Sequence, residues 1–219
     1  MTTVVDAITA TRIIVSLPAL GVDAGGQPRS PQRAPLVVEV CAQEGLDIVA
    51  VPVADLTILD LMEPLGGRVI FGASGVVSAD QLAEAADRGA RFVMLNHASE
   101  ALLAQAAERG VAAFACAFTP HEISDTWAMR PDAVVVHPAE VLGTLYAPHA
   151  IAAAPGAPVI AGGTNSYVAQ QWLTKGAFAA TTDESFISDT LVDGNLGWLR
   201  DRARTFATEG RAAPAWRAE

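Results

Sequence analysis

Four histidines, His97, His121, His137 and His149, stand at or beyond the carboxyl ends of apolar runs. Imidazole is the side chain whose ordinary titration lies nearest neutral pH, so a histidine at the open end of a strand can pass protons to and from a substrate. His137 closes the run Ala133–Val136 and shares parity with Val135, so in a strand it points the same way, one layer higher. His97 ends the run Arg91–Leu95 and is expected to face His137 across a common mouth. Asn96 and Cys116 end neighbouring runs, where an amide or a thiol would orient a carbonyl or hydroxyl group. Cys116 also reads as a small buried residue, because nothing near it in sequence would lower its pKa. Glu140 and Glu122 are carboxylate candidates that serve equally well as first-turn acids of helices. A metal held by His97, His137 and a carboxylate is geometrically open, but no HxH or HxxxE spacing supports it, and no metal or cofactor is expected.

Periodicity predicts what must position these residues. Apolar strand patterns occur at 12–17, 46–51, 68–72, 91–95, 111–116, up to 137, 158–161 and 177–181. Helical patterns fall between them. Ser78 and Ser99 read as helix caps, and Gly89 and Gly110 as helix stops. Thr119 before Pro120 is a helix start, with threonine as the cap and proline in the first turn. A Gly/Pro/Ser-rich loop covers about residues 20 to 34. A terminal helix of about 186 to 208 is interrupted near Gly194, and a loose tail is expected from about 210. Eight strands alternating with helices in one domain of 219 residues predict a closed (β/α)8 TIM barrel, with active-site residues at its carboxyl face. The competing open, doubly wound sheet requires a Gly-rich phosphate turn directly before a helix, and Gly25-Gly26 do not meet that pattern.

Composition sets the bounds. Hydrophobic residues make up 51% and aromatics only 6%, so the apolar content is mainly aliphatic, as buried parallel strands and Ala-rich helices require. The net charge of −10 argues against nucleic acid and anionic membranes as partners. No apolar run approaches the roughly 20 residues of a membrane span, and no secretory pattern opens the sequence, so a cytoplasmic protein is expected. Two cysteines, Cys41 and Cys116, are too few for a disulfide framework.

Several fragments in order resemble one enzyme family over about residues 69 to 187. They are Gly72-Ala73-Ser74-Gly75, Gln81-Leu82-Ala83-Glu84-Ala85, Gly89-Ala90-Arg91-Phe92, Thr119-Pro120-His121-Glu122, Pro138-Ala139-Glu140 and Gly162-Gly163-Thr164-Asn165. Together they resemble the class I aldolases that cleave 2-keto-3-deoxy-6-phosphogluconate and 4-hydroxy-2-oxoglutarate. The resemblance implies a barrel, commonly trimeric, with a Schiff-base lysine three residues before the proline of Pro138-Ala139-Glu140. Here that position holds Val135, and the chain's single lysine is Lys175. The family's strand-two glutamate corresponds to Ala50. Gly162, Gly163 and Thr164 match its phosphate turn, whose backbone N–H groups could still cradle an anion. The next loop, a small Gly-Ser turn in the family, reads Thr181-Thr182-Asp183-Glu184-Ser185. Its two carboxylates would repel a phosphate dianion by roughly a few kcal/mol unless they turn away to cap the following helix.

These readings favour an enzyme that acts on a small carbonyl or 2-oxo-acid-like compound by acid–base chemistry. His97, His137, Asn96 and Glu140 are the catalytic candidates. Cys116, Val135, Thr119, Gly162, Gly163, Thr164, Thr181, Thr182 and Asp183 are the binding candidates. The alternative is a non-catalytic binding or partner protein, which predicts a mouth filled by apolar side chains. A metal- or flavin-dependent barrel is the weaker third reading.

Overall fold

The computed structural model describes residues 3–23, 25–187 and 189–216. Its strands are β1 Ile13–Ser16, β2 Ile48–Pro52, β3 Ile70–Val76, β4 Phe92–Leu95, β5 Ala112–Ala117, β6 Ala133–Val136, β7 Val159–Thr164 and β8 Ala179–Thr182. They pair in parallel in sequence order, and β1 pairs with β8, so the sheet closes into a barrel and the open-sheet alternative falls away. Helices run antiparallel outside: α2 Ala34–Gln43, α3 Ile58–Leu61, α4 Ala79–Asp87, α5 Glu100–Glu108, α6 Pro120–Ala128, α7 Ala139–Leu142, α8 Ala147–Ala152, α9 Ser166–Thr174, α10 Thr190–Asp193 and α11 Leu196–Ala212, after an initial α1 at Val4–Thr11. Ser78, Ser99, Thr119 and Asn165 each accept a backbone N–H from the first turn of the helix they precede, so each helix starts where its cap stands. No helix of the described residues is long and apolar enough to cross a membrane.

Alternation along the strands creates two cores. The outward faces pack against the helices, and the inward faces fill the barrel with Ile14, Ile48, Phe92, Phe114, Val135 and Ile160 among others. Phe92 and Phe114 stack inside at 5.3 Å between centroids. That stack needs Gly72: a Cβ there would lie 2.5 Å from the Phe92 ring.

Two features of the amino face differ from the sequence reading. Helix α1 was not expected. A capping box between Thr3 and Asp6 starts it, and Val4 and Ile8 plug the barrel floor. The tail from about 210 is not loose as far as it is described. Helix α11 continues to Ala212, Trp216 meets Phe178 edge-on at 5.1 Å, and the buried Arg12 guanidinium donates to the carbonyls of Phe178, Ala177 and Pro214. A tryptophan over an open barrel end removes more apolar area from water than a polar tail can. Residues 217–219 lie outside the described residues. Helix α8 is also new: it occupies the stretch between α7 and β7 that carries no strong period.

Candidate active site

At the carboxyl ends of the strands lies a cavity of about 420 Å³. The inward parity of each strand decides what reaches it. Ser16 comes from β1, Ser74 from β3, Asn96 from the end of β4, Cys116 from β5, and Val135 and His137 from β6. Val135 is 2% exposed and belongs to the inner core, so it forms part of the floor with His137 one layer above it. The imidazole lies over the Gly162-Gly163 turn. A Cβ built on Gly162 would stand 2.9 Å from Val135 Cγ1 and 3.0 Å from His137 Nδ1, and one on Gly163 would stand 3.1 Å from His137 Cε1. Gly163 has φ +67°, a conformation that glycine adopts without a steric penalty.

The wall formed by β7, β8 and β1 is a hydroxyl ladder. Thr181 Oγ1 accepts the Gly163 N–H at 2.7 Å, Thr164 Oγ1 donates to Thr181 O at 2.8 Å, and Thr182 Oγ1 accepts the Ser16 N–H at 3.0 Å. Thr164 is fully buried and takes part as a strut of this wall, while Thr181 and Thr182 line the cavity. Asp183 and Glu184 also border it. Asp183 Oδ1 accepts from Phe186 N at 3.2 Å and Ser185 Oγ at 2.7 Å, which is the capping arrangement that the sequence left open. Glu184 pairs with Arg29, whose side chain is only 4% exposed against 63% for the carboxylate.

The other sequence-derived candidates scatter. His97 does not line the central cavity. It borders an adjoining cleft of about 330 Å³ with Phe118, Glu122 and Asp125, and the two spaces share Asn96, Cys116 and His137. Glu140 accepts from the Asn165 side chain and ties the start of α7 to the start of α9, outside the lining of either space. Thr119 is the cap of α6. Hydrogen bonds from the Thr119 and Phe118 N–H groups hold the Glu122 carboxyl below the ordinary glutamate range, as suits a first-turn acid. His121 Nε2 lies 3.3 Å from Asp125 Oδ2 on the exposed face of α6, and His149 sits on α8 away from both spaces. Burial pushes the Cys116 thiol up to about 11, so it is a protonated donor at neutral pH. Among the described residues no group of three His, Cys, Asp or Glu stands together as a metal site.

Sequence reasoning overlooked Ser16 and Ser74 in the mouth and Arg29 behind Glu184. Ser16 and Ser74 share parity with Ile14 and Gly72, and that parity was the available signal. Arg29 sits in an irregular loop where no periodicity exists to read. Lys175 lies elsewhere: Nζ donates to Thr144 O at 2.7 Å, beside Pro214 and Trp216 on the amino side.

The family model described as "Aldolase: KDPG and KHG aldolase" matches residues 31–197. The chain belongs to this aldolase family. Among solved structures, the 2-keto-3-deoxy-6-phosphogluconate aldolase of Zymomonas mobilis is similar with a TM-score of 0.77 and 16% identity, over 96% of this chain and 99% of that one. The KDPG aldolase of Legionella pneumophila, solved with pyruvate captured as a covalent carbinolamine, aligns at a TM-score of 0.71 and 16% identity, over 95% and 97% of the two chains. A designed cube-shaped cage built by fusing symmetric oligomeric domains aligns at 0.76 and 18% identity, over 91% of this chain and 72% of that one. At these identities the likeness is one of fold. No curated protein sequence matches the chain.

Proposed function

We propose that this member of the aldolase family is an enzyme that works on a small carbonyl or 2-oxo-acid-like compound by acid–base chemistry, without forming an imine. The observation that carries the reading is the pairing on β6: an inert Val135 in the floor and, two residues on, His137 bordering the cavity at the carboxyl ends of the strands. A carbonyl substrate meets no amine there, since Lys175 is engaged with Thr144 on the other side of the barrel. Ala50, where the resemblance places a glutamate, is fully buried in the inner core. His137 is placed to take a proton from the carbon beside a carbonyl, and Asn96 and Ser16 to donate hydrogen bonds to the oxygen as charge develops on it. Proton shift, dehydration, cyclisation and retro-aldol cleavage through an enol all need those two operations. Serine, asparagine, thiol, imidazole and threonine groups converging on one solvent-connected cavity speak for catalysis rather than for a non-catalytic relic, which has no use for them.

We also propose a homo-oligomer, trimeric by family resemblance. The segments after β5, β6 and β7 leave Phe118, Val141, Leu145 and Tyr167 exposed, the last three at 77%, 83% and 64%. Large exposed apolar side chains on three successive strand-to-helix segments are what a subunit contact would cover.

The test of the catalytic reading is exchange of the carbon-bound protons of hydroxyacetone and pyruvate in heavy water, followed by NMR. The wild type accelerates exchange of at least one of them, and His137→Ala lowers that rate by roughly a hundredfold or more. An unchanged rate in His137→Ala removes the assignment.

A further inference from the structure

We infer that this mouth selects an uncharged or cationic carbonyl compound and turns away anions, phosphate esters above all; the inference rests on the reading of the cavity as the reactive site and narrows it, keeping the neutral carbonyl compounds such as hydroxyacetone and setting the 2-oxo acids aside. The first support is the charge of the lining. Among the described residues neither lysine nor arginine borders the cavity, whereas Asp183 and Glu184 do. The nearest guanidinium, Arg29, lies behind Glu184, almost fully buried, and divides its donors between that carboxylate and Ala19 O at 2.7 Å. An approaching anion meets the Glu184 carboxylate before it meets the cation.

The second support is steric and independent of charge. A left-handed glycine at the end of a barrel strand is where backbone N–H groups turn toward a bound anion. Here the Gly163 N–H is already spent on Thr181 Oγ1. The His137 ring covers the same turn so closely that even a methyl group at Gly162 or Gly163 would press on it. An anion thus finds neither a free N–H at Gly163 nor space beside it. What remains for recognition are hydroxyls, one amide, one thiol, the His137 imidazole and two carboxylates, a set that suits hydroxyl, carbonyl and amine groups.

Cys116 lets the selection be measured without knowing the substrate, because its thiol borders the cavity while Cys41 is fully buried. Two methanethiosulfonates, one carrying a trimethylammonium group and one a sulfonate, react alike. The Cys116 thiolate attacks the thiosulfonate sulfur, a mixed disulfide forms, and methanesulfinate leaves with the electron pair of the broken S–S bond. Rates on the intact protein at pH 8 are divided by the rates with 2-mercaptoethanol, which cancels intrinsic reactivity. The cationic reagent is expected to label at least tenfold faster after this division, with labelling lost in Cys116→Ser. Glu184→Gln and Asp183→Asn are each expected to cut the preference about threefold, and Glu184→Gln serves alone if loss of the cap at Asp183 unfolds the loop. A normalised ratio of one or less overturns the inference. So does a preference that neither variant alters, or a Cys116 that neither reagent reaches. Proton exchange by His137 is read separately, so a failure here is distinguishable from a failure of the catalytic reading.

Discussion

Adding one methyl group at Gly162 tests the arrangement on which the site depends. The new Cβ would stand 2.9 Å from Val135 Cγ1, 3.0 Å from His137 Cβ and 3.0 Å from His137 Nδ1, closer than packed side chains tolerate. Gly162 does not have a positive φ, so Gly162→Ala carries no backbone penalty and its whole cost is overpacking, about 2 kcal/mol. Two neighbours share that cost. His137→Ala removes Nδ1 but keeps the Cβ, so it takes away one of the three close contacts and relieves roughly a third, and the double variant should be more stable than the sum of the singles by about 0.7 kcal/mol. Gly163→Ala provides the contrast. Its φ of +67° adds a left-handed penalty of about 1–2 kcal/mol that no change at His137 can relieve. Urea unfolding of the four proteins of the Gly162 cycle, followed by circular dichroism, gives the coupling directly. Additivity within about 0.3 kcal/mol would refute the placement of the ring over the glycine turn.

Three further outcomes follow from the structure. Arg12→Leu leaves the Phe178, Ala177 and Pro214 carbonyls without their donor and should cost about 2–4 kcal/mol in urea unfolding; a loss below about 0.5 kcal/mol would contradict the latch at the barrel floor. Alkylation of Cys116 by iodoacetamide requires the thiolate, and burial raises this thiol to about 11, so the rate should climb about tenfold per pH unit from pH 7 to 10; a plateau near pH 8.5 would contradict that environment. Sedimentation velocity should show an oligomer that Leu145→Glu shifts toward the monomer, since an 83% exposed leucine at a subunit contact cannot be replaced by a charge; an unaltered oligomer places the contact elsewhere.

The barrel was legible because its signals are local and periodic. Each strand is an apolar run with the right parity, and Ser78, Ser99 and Thr119 announce the helices they cap. Parity alone was enough to place Val135 and His137 on one inward face. Applied to β4 it also separates His97 from His137, since His97 shares parity with the outward Val93 and Leu95, and the expectation that the two histidines face each other overlooked that signal. Glu140 and Thr119 met the chemical requirement, yet both are held by helix starts, as the first-turn reading of Glu140 allowed. Arg29 and the Trp216 plug were invisible for a different reason. Arg29 reaches Glu184, and Trp216 reaches Phe178, across more than 35 residues from within an irregular segment, where no period reports the partner.

The central claim is that no imine forms in this cavity. Hydroxyacetone and pyruvate should each be incubated with the protein, reduced with borohydride, and the product read by intact mass and peptide mapping. Unmodified protein in both cases is the predicted result. A reduced adduct mapped to Lys175 would contradict the account, because it would bring an amine from the far side of the barrel into the chemistry.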